Sequence, residues 1–225
     1  MESIAIVGYK GKMGSVVFKC LKNKFDVVGI DKEDSLDLAK DVDVVVDFGG
    51  ADSSVCSASW CKGNNKKLII GSTGQSEEQL KYIKEVSKCI PIVFESNFSF
   101  GIFLLKKIAK FLSQQNVESI TIVERHHKNK VDKPSGTAKA LCGVIKEKTD
   151  ANVDVLSIRG GQEFGTHELN FFFDGELIKL THQAFSRDCF AYGVMAAVDF
   201  ILKTDKCGLF STLDVFDNFG LTSVE

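Results

Sequence analysis

The spacing of apolar residues changes about midway along the chain, and each half predicts a different kind of sheet. In the first half, short apolar runs alternate with stretches in which apolar residues recur every three or four positions. The expected strands are Ser3–Val7, Phe25–Ile30, Val42–Phe48, Lys67–Ile70 and Ile90–Phe94, and the expected helices are Ser15–Asn23, Ser53–Lys62 and Ser76–Lys88, with Ser76 as the N-cap of the last. Runs this uniformly apolar are typical of parallel strands buried on both faces, so a parallel sheet flanked by helices is expected.

Beyond Asn97 the pattern predicts longer strands in a smaller α+β unit. The expected elements are a helix at Ile102–Ser113, a strand at Ser119–Glu124, a helix from Thr137 to about Lys148, and strands at Val153–Arg159, Glu168–Phe173 and Glu176–Thr181. The last two strands are joined by Asp174-Gly175, a strong hairpin signal. An open sheet with an apolar face needs a cover, and a second subunit is the expected one, which predicts an oligomer.

The turn after the first strand has the composition of a dinucleotide-binding turn. Gly8-Tyr9-Lys10-Gly11-Lys12-Met13-Gly14 connects a predicted strand to a helix expected to begin near Gly11, and Asp31 ends the next strand. Glycines let a pyrophosphate approach the helix start, and the carboxylate would accept hydrogen bonds from the adenosine ribose. Asp31 would repel a ribose phosphate and so favours NADH, while Lys32 beside it offsets part of that repulsion and leaves NADPH open.

A charged segment between a strand and a helix carries the candidate chemistry. It runs Glu124-Arg125-His126-His127-Lys128-Asn129-Lys130-Val131-Asp132-Lys133-Pro134-Ser135-Gly136-Thr137-Ala138. Histidine supplies an acid near neutral pH, and the lysines, with N–H groups expected to be unpaired at the Ser-Gly-Thr turn, would bind carboxylates. In isolation this segment also fits a solvated basic loop, but its combination with a nucleotide turn favours a site for a small carboxylate-bearing molecule.

These motifs assign a role to each half of the chain. A helix at Asp188–Lys203 and an apolar tail at Gly208–Phe216 are expected to return to the first domain. The fold class predicted is α/β: a Rossmann-like parallel-sheet domain plus a smaller α+β substrate-binding and oligomerisation domain with an open mixed sheet. The expected boundaries are 1–97 plus 188–225 for the dinucleotide-binding domain and 98–187 for the substrate-binding and oligomerisation domain.

Composition narrows the possible partners. The chain has 225 residues, of which 44% are hydrophobic and 26% charged, and its net charge of −2 predicts no nucleic-acid or membrane binding. It opens directly on a strand, with no signal-peptide pattern and no apolar run long enough to span a bilayer. The seven cysteines have no metal-ligand spacing, so no metal is expected, and they are typical of a reduced cytoplasmic protein.

With these residues assembled, the sequence resembles the bacterial dihydrodipicolinate reductases (4-hydroxy-tetrahydrodipicolinate reductases) over nearly its whole length. The family signature Glu-x-His-His-x-x-Lys-x-Asp-x-Pro-Ser-Gly-Thr-Ala is complete from Glu124 to Ala138. Ile158-Arg159 and Gly165-x-His167 resemble later motifs of the family. The resemblance implies NADH- or NADPH-dependent reduction of 4-hydroxy-tetrahydrodipicolinate to tetrahydrodipicolinate in lysine and diaminopimelate biosynthesis, by a homotetramer assembled through the second-domain sheets.

The resemblance also implies roles for individual residues. His126 would be the catalytic acid with Lys130 as its cationic partner. His127 and Lys130 would contact one substrate carboxylate. The other carboxylate would be held by Ser135, Gly136 and Thr137. The implied cofactor-binding residues are Gly8, Lys10, Gly11, Lys12, Met13 and Asp31 along the dinucleotide, and Phe48, Gly71, Thr73, Ser96, Asn97 and Phe98 beside the nicotinamide.

The sequence departs from the family pattern at three places, one of which is Gly49, where the family commonly has Thr after Asp-Phe. Glu95-Ser96 stands where the family usually has Ala-Pro, which is expected to add a charge near the nicotinamide. The chain is also shorter than usual between Asp31 and Asp41, which is expected to alter the adenine pocket.

Other functions remain open on the sequence alone. Another two-domain NAD(P) dehydrogenase, of the aspartate dehydrogenase type, would need its own base or nucleophile, and Cys142 lies within a predicted helix, poorly placed for that role. A non-catalytic NAD(H)-binding regulator would bind nucleotide without turnover and would need neither His126 nor Lys130. A metal site at His126 and His127 is disfavoured because adjacent histidines project poorly toward one ion.

Overall fold

The computed structural model describes residues 1–217, which form two compact units. The first contains Met1–Ser99 together with the described residues from Asp188 to Asp217, and the second contains Phe100–Arg187. The part of the predicted first domain after Asp217 lies outside the described residues. The first boundary falls just beyond Asn97, whose side-chain oxygen accepts a hydrogen bond from Ser99 N (2.9 Å) directly before a helix begins.

The predicted strands and helices are all present, with each end within two residues of its predicted position. The strands are β1 Ser3–Val7, β2 Asp26–Ile30, β3 Val44–Asp47, β4 Lys67–Ile70, β5 Pro91–Phe94, β6 Ser119–His126, β7 Asn152–Arg159, β8 Thr166–Phe173, β9 Glu176–Gln183 and β10 Gly208–Phe210. The helices are α1 Gly14–Leu21, α2 Ala51–Asn64, α3 Glu77–Val86, α4 Phe100–Ser113, α5 Gly136–Lys146, α6 Asp188–Leu202 and α7 Thr212–Asp217. The short elements β10 and α7 were not predicted.

The first unit is built on a six-stranded sheet with the order β10-β5-β4-β3-β1-β2, and every neighbouring pair is parallel. The parallel sheet expected from the apolar runs is therefore confirmed, and Val44, Val45 and Val46 are fully buried as such a strand requires. The apolar tail packs on this unit as expected, because β10 pairs with β5. The strand order reverses between β1 and β3, the place where open α/β sheets bind ligands.

Local sequence signals are also confirmed where their geometry can be checked. Ser76 caps α3: its hydroxyl accepts from Gln79 N (3.2 Å), and the Gln79 side chain accepts from Ser76 N (2.9 Å). The predicted hairpin connects β8 to β9, with Gly175 at φ +75°, a conformation that favours glycine. Among residues 1–217, no helix combines the length and the apolar character needed to cross a bilayer.

The second unit is a four-stranded mixed sheet with the order β7-β6-β8-β9. β6 and β7 are parallel, whereas the other two pairs are antiparallel. One face packs against α4 and α5 through a core that includes Ile120, Ile122 and Phe171, each fully buried. The opposite face carries Leu156 and Leu177, which are 56% and 47% exposed, so this sheet has the uncovered apolar positions expected from its sequence.

A buried carboxylate at the end of β3 connects three segments of the first unit. Asp47 Oδ2 accepts hydrogen bonds from Ser53 Oγ (2.7 Å) and Ser57 Oγ (2.6 Å). Its Oδ1 accepts from Ser72 Oγ (2.7 Å) and Gly49 N (3.0 Å). A fully buried charge is tolerated when hydrogen bonds replace its hydration in this way. Asp47 therefore joins the loops after β3 and β4 to the start of α2.

Replacing Asp47 with alanine is expected to lower the free energy of unfolding by about 3 kcal/mol, because four donors lose a charged acceptor. Urea denaturation of Asp47→Ala beside the wild-type protein measures this change. The matched control is Asp41→Ala, which removes an exposed carboxyl close to the start of β3 and should shift stability by no more than about 0.5 kcal/mol. Equal unfolding midpoints for the Asp47 variant and the wild-type protein would contradict the assigned role.

Candidate active site

A cavity of about 800 Å³ lies in the first unit at the carboxyl ends of β1, β2 and β3. Four of the residues expected to bind cofactor line it: Gly8, Gly11, Asp31 and Phe48. This is the switch point of the sheet, so the cavity lies where the fold alone predicts a ligand. Of the other expected residues, Lys12 is exposed and Met13 is the N-cap of α1.

The glycines of the first turn are required by close backbone packing. Gly8 has φ +76°, and a Cβ atom there would lie 2.9 Å from the backbone of Phe48. A Cβ atom on Gly14 would lie 2.1 Å from the Gly8 carbonyl oxygen. Helix α1 begins at Gly14, next to the start at Ser15 that the apolar pattern predicts. The start near Gly11 expected from the dinucleotide turn is wrong, because Gly11 N donates to Gly8 O (2.9 Å) within the turn.

Asp31 ends β2 with its carboxylate beside a lysine of the glycine turn. Its Oδ1 accepts from Lys32 N (2.9 Å), and its Oδ2 lies 3.2 Å from Lys10 Nζ. The hydrogen bonds from the Lys32 backbone and then from Lys10 lower the pKa of Asp31, so this group is a carboxylate at neutral pH. Lys10 thus neutralises part of the charge that was expected to disfavour a ribose phosphate.

The segments expected to flank the nicotinamide meet through aromatic packing within the first unit. A Cβ atom on Gly71 would lie 2.2 Å from the Phe48 ring, so glycine is needed for that contact. The Phe48 and Phe98 rings pack edge to face with centroids 6.5 Å apart. Gly193 on α6 allows the Phe98 carbonyl to approach, since a Cβ atom there would lie 1.7 Å from its oxygen. Thr73 lies in an exposed loop.

Glu95 has hydrogen-bond partners on both sides within the first unit. Its Oε2 accepts hydrogen bonds from Thr212 Oγ1 (2.7 Å) and Thr212 N (3.5 Å), and its Oε1 accepts from Ser96 N (3.0 Å). The side chain is buried, and its carboxylate contacts both the start of α7 and the backbone of Ser96. Glu95, in the pair that replaces the usual Ala-Pro, therefore connects the tail of the chain to the Ser96-Asn97 segment.

In the second unit, strand register gathers polar side chains on the face that α4 and α5 cover. Glu124 and His126 continue the buried alternation of Ile120 and Ile122 along β6. β7 pairs Arg159 with His126, β8 pairs His167 with Glu124, and β9 pairs His182 with His167. We call these five side chains the polar row. It extends across all four strands at one end of the sheet.

Glu124 is the fully buried centre of the polar row. Its two carboxylate oxygens accept from Arg159 Nη1 (2.8 Å) and Nη2 (2.7 Å), and Oε2 also accepts from His126 Nδ1 (2.5 Å). Burial alone raises the pKa of Glu124, but hydrogen bonds from Arg159, Ser157 and His126 outweigh it and lower the pKa to about 2. Glu124 is therefore an anion throughout the physiological pH range.

This contact determines how His126 can transfer a proton. Because Nδ1 faces a carboxylate, it keeps its hydrogen, and Nε2 is the nitrogen that gains or loses the second proton. Burial lowers the pKa of His126, with smaller contributions from Lys130 and Arg159, while Glu124 opposes the shift. A Cβ atom on Gly165 would lie 2.9 Å from Nε2, so glycine keeps this nitrogen accessible.

The residues expected to hold carboxylates lie next to the polar row. Ser135 is buried, and its hydroxyl accepts from Ala138 N (3.2 Å) to cap α5. The prediction of unpaired N–H groups at this turn is wrong for Ser135 and Gly136. Ser135 N donates to Glu124 Oε1 and Gly136 N to Asp132 Oδ2, both at 3.3 Å. The chain itself supplies carboxylates to these donors.

The other predicted residues of this segment have different surroundings. Lys130 Nζ lies 2.8 Å from Asp132 Oδ1. The backbone N–H of His127 donates to Glu163 O (2.9 Å), while its buried side-chain Nδ1 has no hydrogen-bond partner among the described residues. Thr137 is buried in the first turn of α5.

Sequence reasoning assigned no role to Glu124, Arg159, Asp132 or His167. The period of two along β6 was a usable signal for Glu124, because it extends the buried face into a charged residue. His167 is almost fully buried, and burial lowers its pKa to about 3, so it is neutral. Its Nε2 lies 3.4 Å from Ser135 Oγ. No cluster of His, Cys, Asp and Glu suited to a metal ion occurs in the described part of the chain.

The first unit has a glycine-lined cavity at the switch point of a parallel sheet. The second unit buries a histidine that is paired with a carboxylate and lies beside two cations. Together these features define a nucleotide-dependent oxidoreductase with two domains. The family models are more specific. The one described as dihydrodipicolinate reductase, N-terminus, matches residues 2–98, and the one for the C-terminus matches residues 101–216. The chain belongs to the dihydrodipicolinate reductase family, whose members are NAD(P)-dependent oxidoreductases.

Individual relatives agree with this assignment. A 4-hydroxy-tetrahydrodipicolinate reductase from Clostridium perfringens is 36% identical, in an alignment that covers 96% of this chain and 98% of the relative. One from Thermosipho africanus is 37% identical, covering 93% and 95%. A dipicolinate-bound dihydrodipicolinate reductase from Paenisporosarcina has the same fold, with a TM-score of 0.78 at 21% identity, covering 95% of this chain and 98% of that one. The resemblance, the fold class and the reductase function expected from the sequence are therefore confirmed.

Replacing Glu124 with glutamine is expected to lower the pKa of His126 below its wild-type value. The sign follows from the loss of the opposing carboxylate, which leaves burial and the charges of Lys130 and Arg159, all of which lower the pKa of His126. NMR titration of the imidazole resonances measures the change. Glu168→Gln is the matched control, because it removes one carboxylate from β8 on the other face and should leave His126 unaffected. An unchanged or raised His126 pKa in the Glu124 variant would contradict this account.

Proposed function

We propose that this chain reduces 4-hydroxy-tetrahydrodipicolinate to tetrahydrodipicolinate with NADH or NADPH, as a step of lysine and diaminopimelate biosynthesis, with His126 as the proton donor. The observation that carries the proposal is the contact of His126 with buried Glu124 next to Lys130 and the start of α5. This arrangement combines an acid with cationic and N–H donors, which are the groups that a cyclic imine dicarboxylate requires.

The cavity of the first unit supports dinucleotide binding. It offers glycine backbone at Gly8 and Gly11 for close approach of a pyrophosphate, and the Asp31 carboxylate for ribose hydroxyls. When bound, the reduced nicotinamide supplies the hydride. The assignments of Lys10, Lys12, Met13, Phe48, Gly71, Thr73, Ser96, Asn97 and Phe98 to cofactor binding belong to this proposal.

The second unit is proposed to bind the substrate and protonate it. Lys130 and His127 would neutralise one carboxylate, and Ser135, Gly136 and Thr137 would hold the other. Loss of the 4-hydroxyl group as water gives a conjugated cyclic imine. Addition of hydride to it leaves an electron-rich, enamine-like ring, which takes up the proton of His126 Nε2. Glu124 keeps Nδ1 protonated and stabilises the imidazolium form, so it acts as a positioning residue for His126.

We also propose that the protein is a cytoplasmic homotetramer. The uncovered face of the second sheet supports the oligomer, since Leu156, Ile158 and Leu177 are each about half exposed there: 56%, 47% and 47%. Seven cysteines without disulfides among the described residues are consistent with a reducing compartment. Size-exclusion chromatography with light scattering distinguishes a tetramer from smaller assemblies.

A coupled assay tests the reaction and the roles of His126 and Lys130. Dihydrodipicolinate synthase supplies the substrate, and absorbance follows oxidation of NADH or NADPH. The wild-type protein should oxidise the cofactor only when the cyclic diacid is present. His126→Ala should lose two to four powers of ten in kcat, on the order of a missing general acid. Lys130→Ala should raise the KM for substrate and lower kcat, because it removes a carboxylate-binding charge.

Two controls make these results specific. Lys128→Ala changes an exposed lysine of the same segment and should leave both constants unchanged. Affinity for NADH should be the same in all variants, since the cofactor cavity lies in the other unit. Unchanged kcat in His126→Ala would remove that residue from the role, and a Lys130 variant altered only in cofactor affinity would exclude Lys130 from substrate binding.

Replacing Asp31 with serine is expected to shift cofactor preference toward NADPH. The carboxylate that repels a ribose phosphate is removed while Lys10 stays, so the ratio of kcat/KM for NADPH over NADH should rise about tenfold, equivalent to about 1.4 kcal/mol. The same ratio measured for Asp26→Ser, which removes an exposed carboxylate from the opposite end of β2, should not change. A ratio that falls or stays constant in the Asp31 variant would contradict the assigned contact.

A further inference from the structure

Two of the donors that the proposed function assigns to substrate carboxylates, Lys130 and Gly136, already hold a carboxylate of the chain. Lys130 Nζ lies 2.8 Å from Asp132 Oδ1, and Gly136 N donates to Asp132 Oδ2 at 3.3 Å. One carboxylate therefore contacts both the lysine and the start of α5, with a separate oxygen for each. The carboxylates of a bound dicarboxylate are also anionic acceptors, so they would need the same two donors.

We propose that Asp132 is an internal stand-in for a substrate carboxylate, which occupies the Lys130–Gly136 site until a dicarboxylate displaces it. The inference rests on the proposed function, since it uses the same donors. It gives Asp132 a role that differs from a permanent structural ion pair, in which the contact with Lys130 would persist when substrate is bound.

The surroundings of Asp132 allow the side chain to leave while the backbone stays. The Asp132 carbonyl oxygen accepts from Arg159 Nη2 (2.5 Å), so the main chain is attached to the polar row. The Asp132 side chain, in contrast, is 40% exposed, against 24% for Lys130. Rotation about the side-chain bonds would carry the carboxylate into solvent, where its charge is hydrated. Lys130 Nζ and Gly136 N would then donate to the ligand.

The contacts of Asp132 also explain how Lys130 and the start of α5 stay in position before substrate binds. A lysine and a helix N-terminus without an anion would lose favourable electrostatic energy and attract any small anion from solution. The tethered carboxylate keeps the donors in place and competes with weak ligands. In the proposed function Lys130 and Gly136 bind different carboxylates of one ligand. A dicarboxylate would therefore engage both donors at once, so it can displace Asp132 where a single anion cannot.

Binding of pyridine-2,6-dicarboxylate to the full-length protein tests the inference. Titration calorimetry in the presence of saturating NADH would compare the wild-type protein, Asp132→Asn and Glu85→Gln. Asparagine keeps the size of the side chain but removes the competing charge, so Asp132→Asn should lower the Kd by about threefold to tenfold, up to about 1.4 kcal/mol. Glu85→Gln removes an exposed carboxylate from α3, in the other unit, and should leave the Kd unchanged. A permanent structural role for Asp132 predicts the opposite, a higher Kd.

Crystal structures of the wild-type protein with and without this ligand give a second measurement that needs no variant. The inference expects a ligand carboxylate on Lys130 Nζ, with the Asp132 carboxylate moved beyond about 4 Å, the limit of an ion pair. A retained Lys130–Asp132 contact in the complex, or equal or weaker binding by Asp132→Asn, overturns it. Turnover of the wild-type protein in the coupled assay tests the proposed function separately, so a failed reaction with tighter Asp132→Asn binding would reject the reaction alone.

Discussion

The candidate active site depends on one buried anion, the carboxylate of Glu124. Arg159 is almost as buried as Glu124, with 6% of its side chain exposed against 0%, and a guanidinium in that position is tolerated only beside a paired anion. The same carboxylate orients His126 and accepts from the backbone of Ser135. Loss of this one charge would therefore leave a buried cation unpaired, free the imidazole to rotate and loosen the start of α5. Stability and chemistry are coupled at this residue because a single group satisfies all three partners.

The first unit, which has a different fold, also contains buried carboxylates that accept hydrogen bonds from neighbouring segments. Asp47 is a buried carboxylate at the end of β3, satisfied by three serine hydroxyls and a backbone N–H, and it holds the loops beside the cavity at the switch point of the sheet. Glu95 does likewise after β5, where it accepts from Thr212 at the start of α7. In each case the carboxylate lies at or directly after the end of a strand, and residues of the flanking segments donate hydrogen bonds to it. Loops that bind ligands thereby gain fixed positions without apolar packing of their own.

Strands and helix starts that depend on a local pattern of residues could be predicted from the sequence. Apolar runs located the strands of both sheets, and Ser76 identified a helix start, because those signals lie within a few neighbouring residues. The sequence could not predict contacts set by pairing across the fold. Arg159 reaches Glu124 from 35 residues away through the register of β6 and β7, and Thr212 reaches Glu95 from 117 residues away. β10 has only three residues, too few to show any period. The turn at Ser135 was recognised as an anion site, but nothing local indicated that Asp132 and Glu124 would fill it.

Charge balance links the separate parts of the second unit to a dianionic ligand. At rest the anions Glu124 and Asp132 match the cations Arg159 and Lys130, and burial favours neutral His126. A ligand with two carboxylates would add two negative charges to a balanced array, which is unfavourable where water is largely excluded. Departure of Asp132 removes one of these charges, and uptake of a proton by His126 offsets the other. Under the proposed function, the dicarboxylate thus both displaces the internal carboxylate and favours the protonated imidazole that the reduced ring then requires.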